Sequence, residues 1–274
     1  MSKIVFITGA SKGFGKLWAE ALLQRGDKVA ASARNIAALA DLKAAYGYNL
    51  LAVELDVNSR ENVFSAVNKI KDHFGRIDVL INNAGFGLFG TTEETSEQQA
   101  RDQMETNFFG SLWVAQAVLP IMRAQKSGHI IQVSSFLGLT TIPLLGLYNA
   151  SKFAVEGLIE TIGSETAHLG IKTTLIEPNG FATDWAGASA VQTSSDITDY
   201  EPVRAAFAAT GDNPDTWGNP EATVAPVLNI IDSENPPKRI LFGKIAYQVI
   251  NDVYTKRLED IQGWKEVSIA AHGH

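Results

Sequence analysis

Two hydrophobic patterns alternate along this chain. Short apolar runs at 4–8, 28–33, 50–55, 77–81, 129–134, 171–176 and 239–242, most of them rich in Val, Ile and Leu, predict buried strands. Between them lie longer stretches in which apolar residues return every three or four positions. Those at 16–24, 36–46, 60–74, 96–125, 147–169, 221–231 and 244–265 predict helices. Strands and helices taking turns predict an α/β fold, a doubly wound parallel sheet of about seven strands with helices on both faces. Within 96–125, Asn107 falls near the middle, and Pro120 is expected to bend or end the regular helix.

Residues 184–220 break the alternation. They carry Gly, Ser, Thr, Asp, Asn and Pro with scattered aromatics, Trp185, Tyr200, Phe207 and Trp217. This composition predicts a mobile cap, helical at 199–209, that closes over a substrate. There is no repeat, low-complexity segment or interdomain linker, so 1–274 reads as a single domain. Residues 243–274 form its C-terminal helix and a loose tail, His272-Gly273-His274.

Composition narrows the function. With 45% hydrophobic residues the chain can build one large core, and its net charge is −7. No run of like charge exceeds three residues, which argues against a nucleic-acid arm or a polybasic membrane patch. The absence of cysteine excludes disulfides and thiolate catalysis and suits a reducing compartment. The apolar run Ile4-Val5-Phe6-Ile7 is too short for a signal or a membrane span, so the expected setting is cytoplasmic. His73, His129 and His168 are isolated, and no spacing suggests a metal site.

The first strand runs into Thr8-Gly9-Ala10-Ser11-Lys12-Gly13-Phe14-Gly15 and then a helix. A strand, a glycine-rich turn and a helix N-terminus form the context of a pyrophosphate site: glycines admit the phosphates and the helix end offers free N–H groups. The second strand closes at Ala33 and Arg34. A carboxylate there would bond the adenosine ribose hydroxyls and repel a 2′-phosphate. Its absence, with Arg34, Ser11 and Lys12 close by, favours NADP(H) over NAD(H). Ligands in such sheets sit beyond the carboxyl ends of the strands, which groups Gly9, Arg34, Asp56 and Asn82 on one edge.

Tyr148 and Lys152 lie four residues apart, and on a helix they share a face. A phenol alone is a poor base near neutrality, and a neighbouring ammonium favours the phenolate, as a general acid/base requires. Ser135 has no His/Asp partner arrangement and does not read as a triad nucleophile. Asn149-Ala150-Ser151 matches a glycosylation sequon but lies inside the predicted helix, and it is set aside.

Taken in order, Thr8-Gly9-x-x-x-Gly13-x-Gly15, Asp56-Val57, Asn82-Asn83-Ala84-Gly85, Asn107, Ser134-Ser135, Tyr148-x-x-x-Lys152, and Pro178 with Thr183 resemble the short-chain dehydrogenase/reductase family along nearly the whole chain. Phe181-Ala182-Thr183-Asp184-Trp185 and the long C-terminal segment resemble its hydroxysteroid and retinol dehydrogenase-like branch. The resemblance implies a Rossmann-type fold. It also implies catalysis by Asn107, Ser135, Tyr148 and Lys152: Tyr148 as acid/base, Ser135 holding the substrate oxygen, Lys152 lowering the Tyr148 pKa, and Asn107 supporting a water that links Lys152 to solvent. Cofactor contacts would come from Gly9, Ser11, Lys12, Gly13, Phe14, Gly15, Arg34, Asp56, Val57, Asn83, Ala84, Gly85, Tyr148, Lys152, Pro178, Gly180, Phe181 and Thr183, with Asn82 also on the adenosine side. Family members often pair through the helices at 96–125 and 147–169, so a homodimer or homotetramer is expected. The chain departs from the family in having Asn179 where glycine usually follows the proline. Asparagine tolerates a left-handed backbone, so the turn is expected to survive, with Gly180 sharing the role.

The expected substrate wall is Phe86, Leu88, Phe89, Phe136, Leu137, Leu139, Leu144, Leu145, Phe181 and Trp185, beside Ser135. It is mostly apolar and suggests a lipophilic alcohol or carbonyl of steroid, retinoid or aromatic-ketone type. The competing readings are an NADP(H) sensor or partner-binding protein without turnover, and an epimerase or dehydratase working through a transient ketone.

Overall fold

The computed structural model describes residues 2–185, 187, 190–211 and 216–273. The strands are β1 (Ile4–Ile7), β2 (Lys28–Ala33), β3 (Leu50–Glu54), β4 (Val79–Asn82), β5 (Leu88–Phe89), β6 (Gly128–Val133), β7 (Ile171–Pro178), β8 (Val191–Gln192) and β9 (Arg239–Phe242). The helices are α1 (Gly13–Arg25), α2 (Ala40–Tyr46), α3 (Arg60–Phe74), α4 (Glu97–Met104), α5 (Gly110–Gln125), α6 (Gly146–Thr166), α7 (Glu201–Gly211), α8 (Val224–Asp232), α9 (Lys244–Gly263) and α10 (Lys265–Ala270). Seven strands form one parallel sheet in the order β3-β2-β1-β4-β6-β7-β9. The order reverses between β1 and β4, the place where such folds open a ligand crevice. This is the Rossmann-type α/β sheet that the alternation of strands and helices predicts.

Strand alternation sends neighbouring side chains to opposite faces. In β1, Val5 and Ile7 enter a core with Trp18 and Leu22 of α1, Leu42 of α2 and Ile231 of α8. Phe6, between them, enters the other core with Val67 and Ile70 of α3, Val118 of α5 and Ile159 of α6. Each such fully buried side chain contributes about 1.5–3 kcal/mol, so both faces hold the sheet rigid beneath the site. Helix ends follow local chemistry. Ser59 caps α3 by accepting the Asn62 N–H, and Gly75 closes it at φ +83°.

Several expectations need correction. Pro120 does not end the helix: α5 continues through it to Gln125. Proline removes one backbone donor there, and the packing of Val114, Val118, Ile121 and Met122 outweighs that loss. The single helix expected at 96–125 is divided by a π-helical segment, Glu105–Phe109. The stretch at 36–46 begins as a 3₁₀ turn, Ile36–Leu39, before α2, and 221–231 begins as another, Pro220–Thr223, before α8. The C-terminal helix breaks at Trp264, and a further helix, α10, lies between it and the expected tail at 272–274, whose last residue, His274, lies outside the described residues.

The expected cap is strapped to the body. Its β8 pairs with β5, and α7 is held by Arg204, which bonds both Glu94 carboxylate oxygens at 2.6 and 2.7 Å. The Thr91 hydroxyl, then the Ile197 N–H and the Arg204 guanidinium, hold the Glu94 carboxyl down at about 2. Residues 186, 188, 189 and 212–215 of the cap lie outside the described residues.

Candidate active site

A cavity of about 630 Å³ opens over the carboxyl ends of β1, β2, β4, β6 and β7. That volume is within the usual range for cofactor and substrate pockets. At one end are Gly9, Ser11, Lys12, Gly13 and Phe14 with Arg34, Asp56 and Val57. At the other are Ser135, Phe136, Leu137, Tyr148 and Lys152 with Pro178, Gly180, Phe181, Thr183 and Trp185, and Asn83, Ala84, Gly85 and Phe86 also line it. Among the expected catalytic, cofactor and substrate residues, Gly15, Asn82, Asn107 and Leu145 do not reach it. Of the expected substrate wall, Leu88, Phe89, Leu139 and Leu144 also stand off the cavity.

The glycine turn is shaped by close approach. Gly9 has φ +66° and Gly13 φ +55°, a region other residues rarely enter. The Asn83 amide donates to the carbonyls of Thr8 and Gly9, both at 3.0 Å, and the Thr8 hydroxyl accepts the N–H groups of Asn83 and Ala84. Asn83 is therefore a strut between the β1 and β4 turns. Asn82 is buried below, its amide donating to the Ser111 carbonyl, and does not face the cavity. The first turn of α1 points free backbone N–H groups at this end. These residues fit a dinucleotide: a phosphate-binding helix end, a backbone cradle, and the exposed side chain of Arg34 beside Ala33 where β2 stops.

At the other end α6 presents Tyr148 and Lys152 on one face, both buried. The turn before α6 holds Leu144 at φ +65°, a strained conformation for a bulky residue, and the Gly90 N–H donates to its carbonyl at 2.8 Å. Lys152 Nζ donates to the Val133 carbonyl at 3.0 Å and lies 5.6 Å from the Tyr148 ring centre. Ser135 accepts the Leu137 N–H at 3.1 Å, donates to the Pro178 carbonyl at 3.4 Å, and is near enough to Tyr148 to act on its titration. Burial dominates the titration of both groups. It pushes the Tyr148 phenol above its ordinary value, against the lowering effect of Ser135, and brings Lys152 down to about 8, against the opposing Glu156 carboxylate. A phenol lowered by Lys152 is the expectation; in the structure desolvation is the larger effect and has the opposite sign.

Asn107 sits in the π segment, buried, with its amide donating to the Phe86 carbonyl and the Ser151 hydroxyl at 3.0 Å and accepting the Phe86 N–H at 3.1 Å. Its side chain fixes the Gly85-Phe86 wall. Leu145 belongs to the small core under the cap, with Phe89, Leu139 and Ile250. Trp185 packs against Tyr148 at 4.8 Å and Phe89 at 5.3 Å between ring centres, and Gly87 leaves room for its indole. The backbone at Asn179 is not left-handed, so the turn does not call on the tolerance of asparagine for that conformation. The Asn179 side chain turns toward Gly243, donating to the Gly180 carbonyl at 2.8 Å and accepting the Ala246 N–H at 3.4 Å.

Sequence reasoning omitted Ser32, Asn58, Asp102, Thr106, Ser134 and Val191 from the lining. Ser32, Asn58 and Ser134 sit beside strand ends already singled out, so position could have found them. Thr106 is aimed by a π segment with no sequence signature, Asp102 by the last turn of α4 just before it, and Val191 by a strand too short to read.

The sequence model described as short chain dehydrogenase matches residues 3–210. The chain belongs to the short-chain dehydrogenase family. This short-chain dehydrogenase is an oxidoreductase. It is 38% identical over 274 residues to oxidoreductase BOA17 of Botryotinia fuckeliana, covering 99% of this chain and all of that one. It is 36% identical to a 3-ketodihydrosphingosine reductase of Bacteroides thetaiotaomicron, covering 89% of each. It is 33% identical to human retinol dehydrogenase 8, covering 86% of this chain and 80% of that protein. A short-chain dehydrogenase from Streptomyces avermitilis superposes with a TM-score of 0.91 at 33% identity over 98% of both chains. Two relatives from Burkholderia, each 26% identical and covering 95% of this chain and 96% and 94% of their own, were solved with NADP (TM-score 0.77) and with NAD (TM-score 0.80). Among the described residues no helix is long and apolar enough to cross a membrane, and no cluster of metal-ligating side chains is present.

Proposed function

We propose that this enzyme interconverts a lipophilic alcohol and its ketone or aldehyde with NADP(H), using Tyr148, Ser135 and Lys152. The observation that carries this reading is the convergence of those three side chains on one wall of a cavity whose other end is the glycine turn and Arg34. When bound, the nicotinamide exchanges a hydride with the carbonyl carbon. The protein handles the proton. Ser135 hydrogen-bonds the substrate oxygen and Tyr148 gives it the phenolic proton, or takes one from the alcohol in the reverse direction. Burial keeps the Tyr148 phenol protonated, which poises it as an acid for reduction. The Lys152 ammonium, beside the ring, stabilises the phenolate left behind. Thr183 and the Pro178–Phe181 turn line the wall where the cofactor carboxamide would be held.

Phe86, Phe136, Leu137, Phe181 and Trp185 support a lipophilic substrate, as do relatives named for a ketosphingoid base and for retinol. NADPH consumption against a panel of hydrophobic ketones and aldehydes, with NADH and short polar sugars alongside, tests the reading. Turnover of the hydrophobic carbonyls is expected. Tight cofactor binding without any turnover would favour the sensor reading instead, and faster turnover of the sugars would remove the lipophilic assignment.

Arg34 carries the cofactor preference. Arg34→Glu replaces a partner for the 2′-phosphate with a charge that repels it. The ratio of kcat/KM with NADPH to that with NADH is expected to fall by about 100-fold, roughly 2.7 kcal/mol. An unchanged ratio would mean that Arg34 does not meet the phosphate.

A further inference from the structure

Two buried carboxylates, Glu156 and Glu177, lie behind the cavity wall without lining it. Tyr148, Lys152, Glu156 and Glu160 follow at four-residue intervals on α6, a stripe running from the cavity to an exposed Glu160. Glu177 comes from β7, next to Pro178 of the cavity wall. The Glu156 and Glu177 carboxyl groups stand against the same Arg239 guanidinium, 3.5 Å from an oxygen of each, close enough to shift each other's titration. Gly138 makes the space: a Cβ there would stand 2.8 Å from Glu156 Cγ, 3.1 Å from its Oε1 and 3.0 Å from Ser134 Oγ.

The groups facing the pair come from four elements. Arg239 of β9 places Nη2 3.5 Å from Glu156 Oε2 and Nη1 3.5 Å from Glu177 Oε1, and it also pairs with Glu160. Lys152 and Glu160 flank Glu156 on α6, Glu177 faces it from β7, and the Ser134 hydroxyl faces it from the segment after β6. Among the described residues no group donates a hydrogen bond of normal geometry to any of the four carboxylate oxygens. Buried oxygens are rarely left so. One guanidinium shared by three carboxylates, with the Lys152 ammonium beside Glu156 alone, leaves the cluster one positive charge short. A proton on one carboxyl supplies the donor that the other lacks.

We infer that Glu156 and Glu177 hold one proton between them, and that the remaining negative charge keeps Lys152 in its ammonium form, which makes Glu156 a positioning residue for Lys152. The importance of Lys152 rests on the proposed function; the shared proton does not. The titration agrees in sign. Burial raises both carboxyls, Glu177 to about 8, with Glu156 as the next cause. Burial lowers Lys152 to about 8, and Glu156 is the group that opposes this. Removing the Glu156 charge therefore lowers the pH at which Lys152 loses its proton.

The test uses the full chain without cofactor, carrying lysine labelled at Cε, with the Lys152 resonance assigned by Lys152→Arg. In Glu156→Gln, Lys152 is expected to titrate about one pH unit lower, as loss of an adjacent opposite charge dictates. In Glu177→Gln the charge stays on Glu156, and the Lys152 titration does not move down. Infrared spectra near neutral pH are expected to contain a protonated-carboxyl carbonyl band that both Gln variants lose. A wild-type spectrum without that band, or a Lys152 titration unmoved in Glu156→Gln, overturns the inference. In turnover, the alkaline limb of the kcat/KM profile of Glu156→Gln should move down with Lys152, whereas mere structural damage lowers the profile without moving the limb. The two spectroscopic readouts involve neither cofactor nor substrate, so they stand apart from any failure of the carbonyl-reductase reading.

Discussion

Tyr148→Phe is expected to lower kcat for carbonyl reduction by about 1,000-fold, roughly 4 kcal/mol, with little change in stability or cofactor affinity. The argument begins with what the substitution leaves alone. Phenylalanine fills the same buried space, so the contact with Trp185 and the small core with Phe89, Phe136 and Leu137 survive. Ser135 keeps the Leu137 N–H at 3.1 Å and the Pro178 carbonyl at 3.4 Å, so losing the phenol does not strand its hydroxyl. Lys152 keeps the Val133 carbonyl. Only the O–H is lost, and the reaction needs it twice, as the proton donor and as the anion left behind. Kinetics under saturating cofactor, thermal unfolding and a cofactor-fluorescence titration check the three parts. Activity within tenfold of wild type would mean that another group carries the proton.

The extent to which this was legible in the sequence differed by element, for physical reasons. Strand 28–33 and the helix 60–74 were readable to the residue, because a short apolar run and a 3.6-residue period are local signals. β5 and β8 were not, since two residues carry no period, yet their pairing fastens the cap to the loop after β4. The π segment that aims Asn107 leaves no mark in a 3.6-residue pattern. At the site, Ser135, Tyr148, Lys152 and most of the glycine turn, singled out from residue types and their order, line the cavity. The direction in which a polar side chain works was hidden. Asn83 and Asn107 brace backbone, and Asn179 turns to Gly243, because those choices depend on which donors and acceptors tertiary packing leaves unpaired. The Glu156–Glu177 cluster was hidden for a related reason, as the Arg239 that both face comes from β9, which only the sheet order places beside β7.

Gly15→Ala should abolish measurable cofactor binding and destabilise the fold by roughly 3 kcal/mol, although Gly15 does not line the cavity. A Cβ at Gly15 would stand 2.4 Å from the Gly9 carbonyl oxygen, 2.7 Å from Asn83 Nδ2 and 3.0 Å from Ala10 Cα. The first and third neighbours are backbone and cannot swing away. The second is the amide that ties the β1 and β4 turns through Thr8 and Gly9. Gly9 has no slack to absorb the push, since its own Cβ position lies 3.0 Å from Ala84 Cα and its φ is +66°. The methyl must therefore break the Asn83 strut or lift the start of α1, and either change moves the helix end from the phosphate position. Gly157→Ala is the control. It lies on the exposed face of α6 with nothing within 4 Å of a Cβ, and there the same methyl is expected to stabilise by about 0.5–1 kcal/mol, because alanine favours the helix and restricts the unfolded chain. Urea unfolding of the pair, with cofactor titration of Gly15→Ala, separates the two signs. Wild-type stability and affinity in Gly15→Ala would show that the β1 turn is looser than its contacts imply.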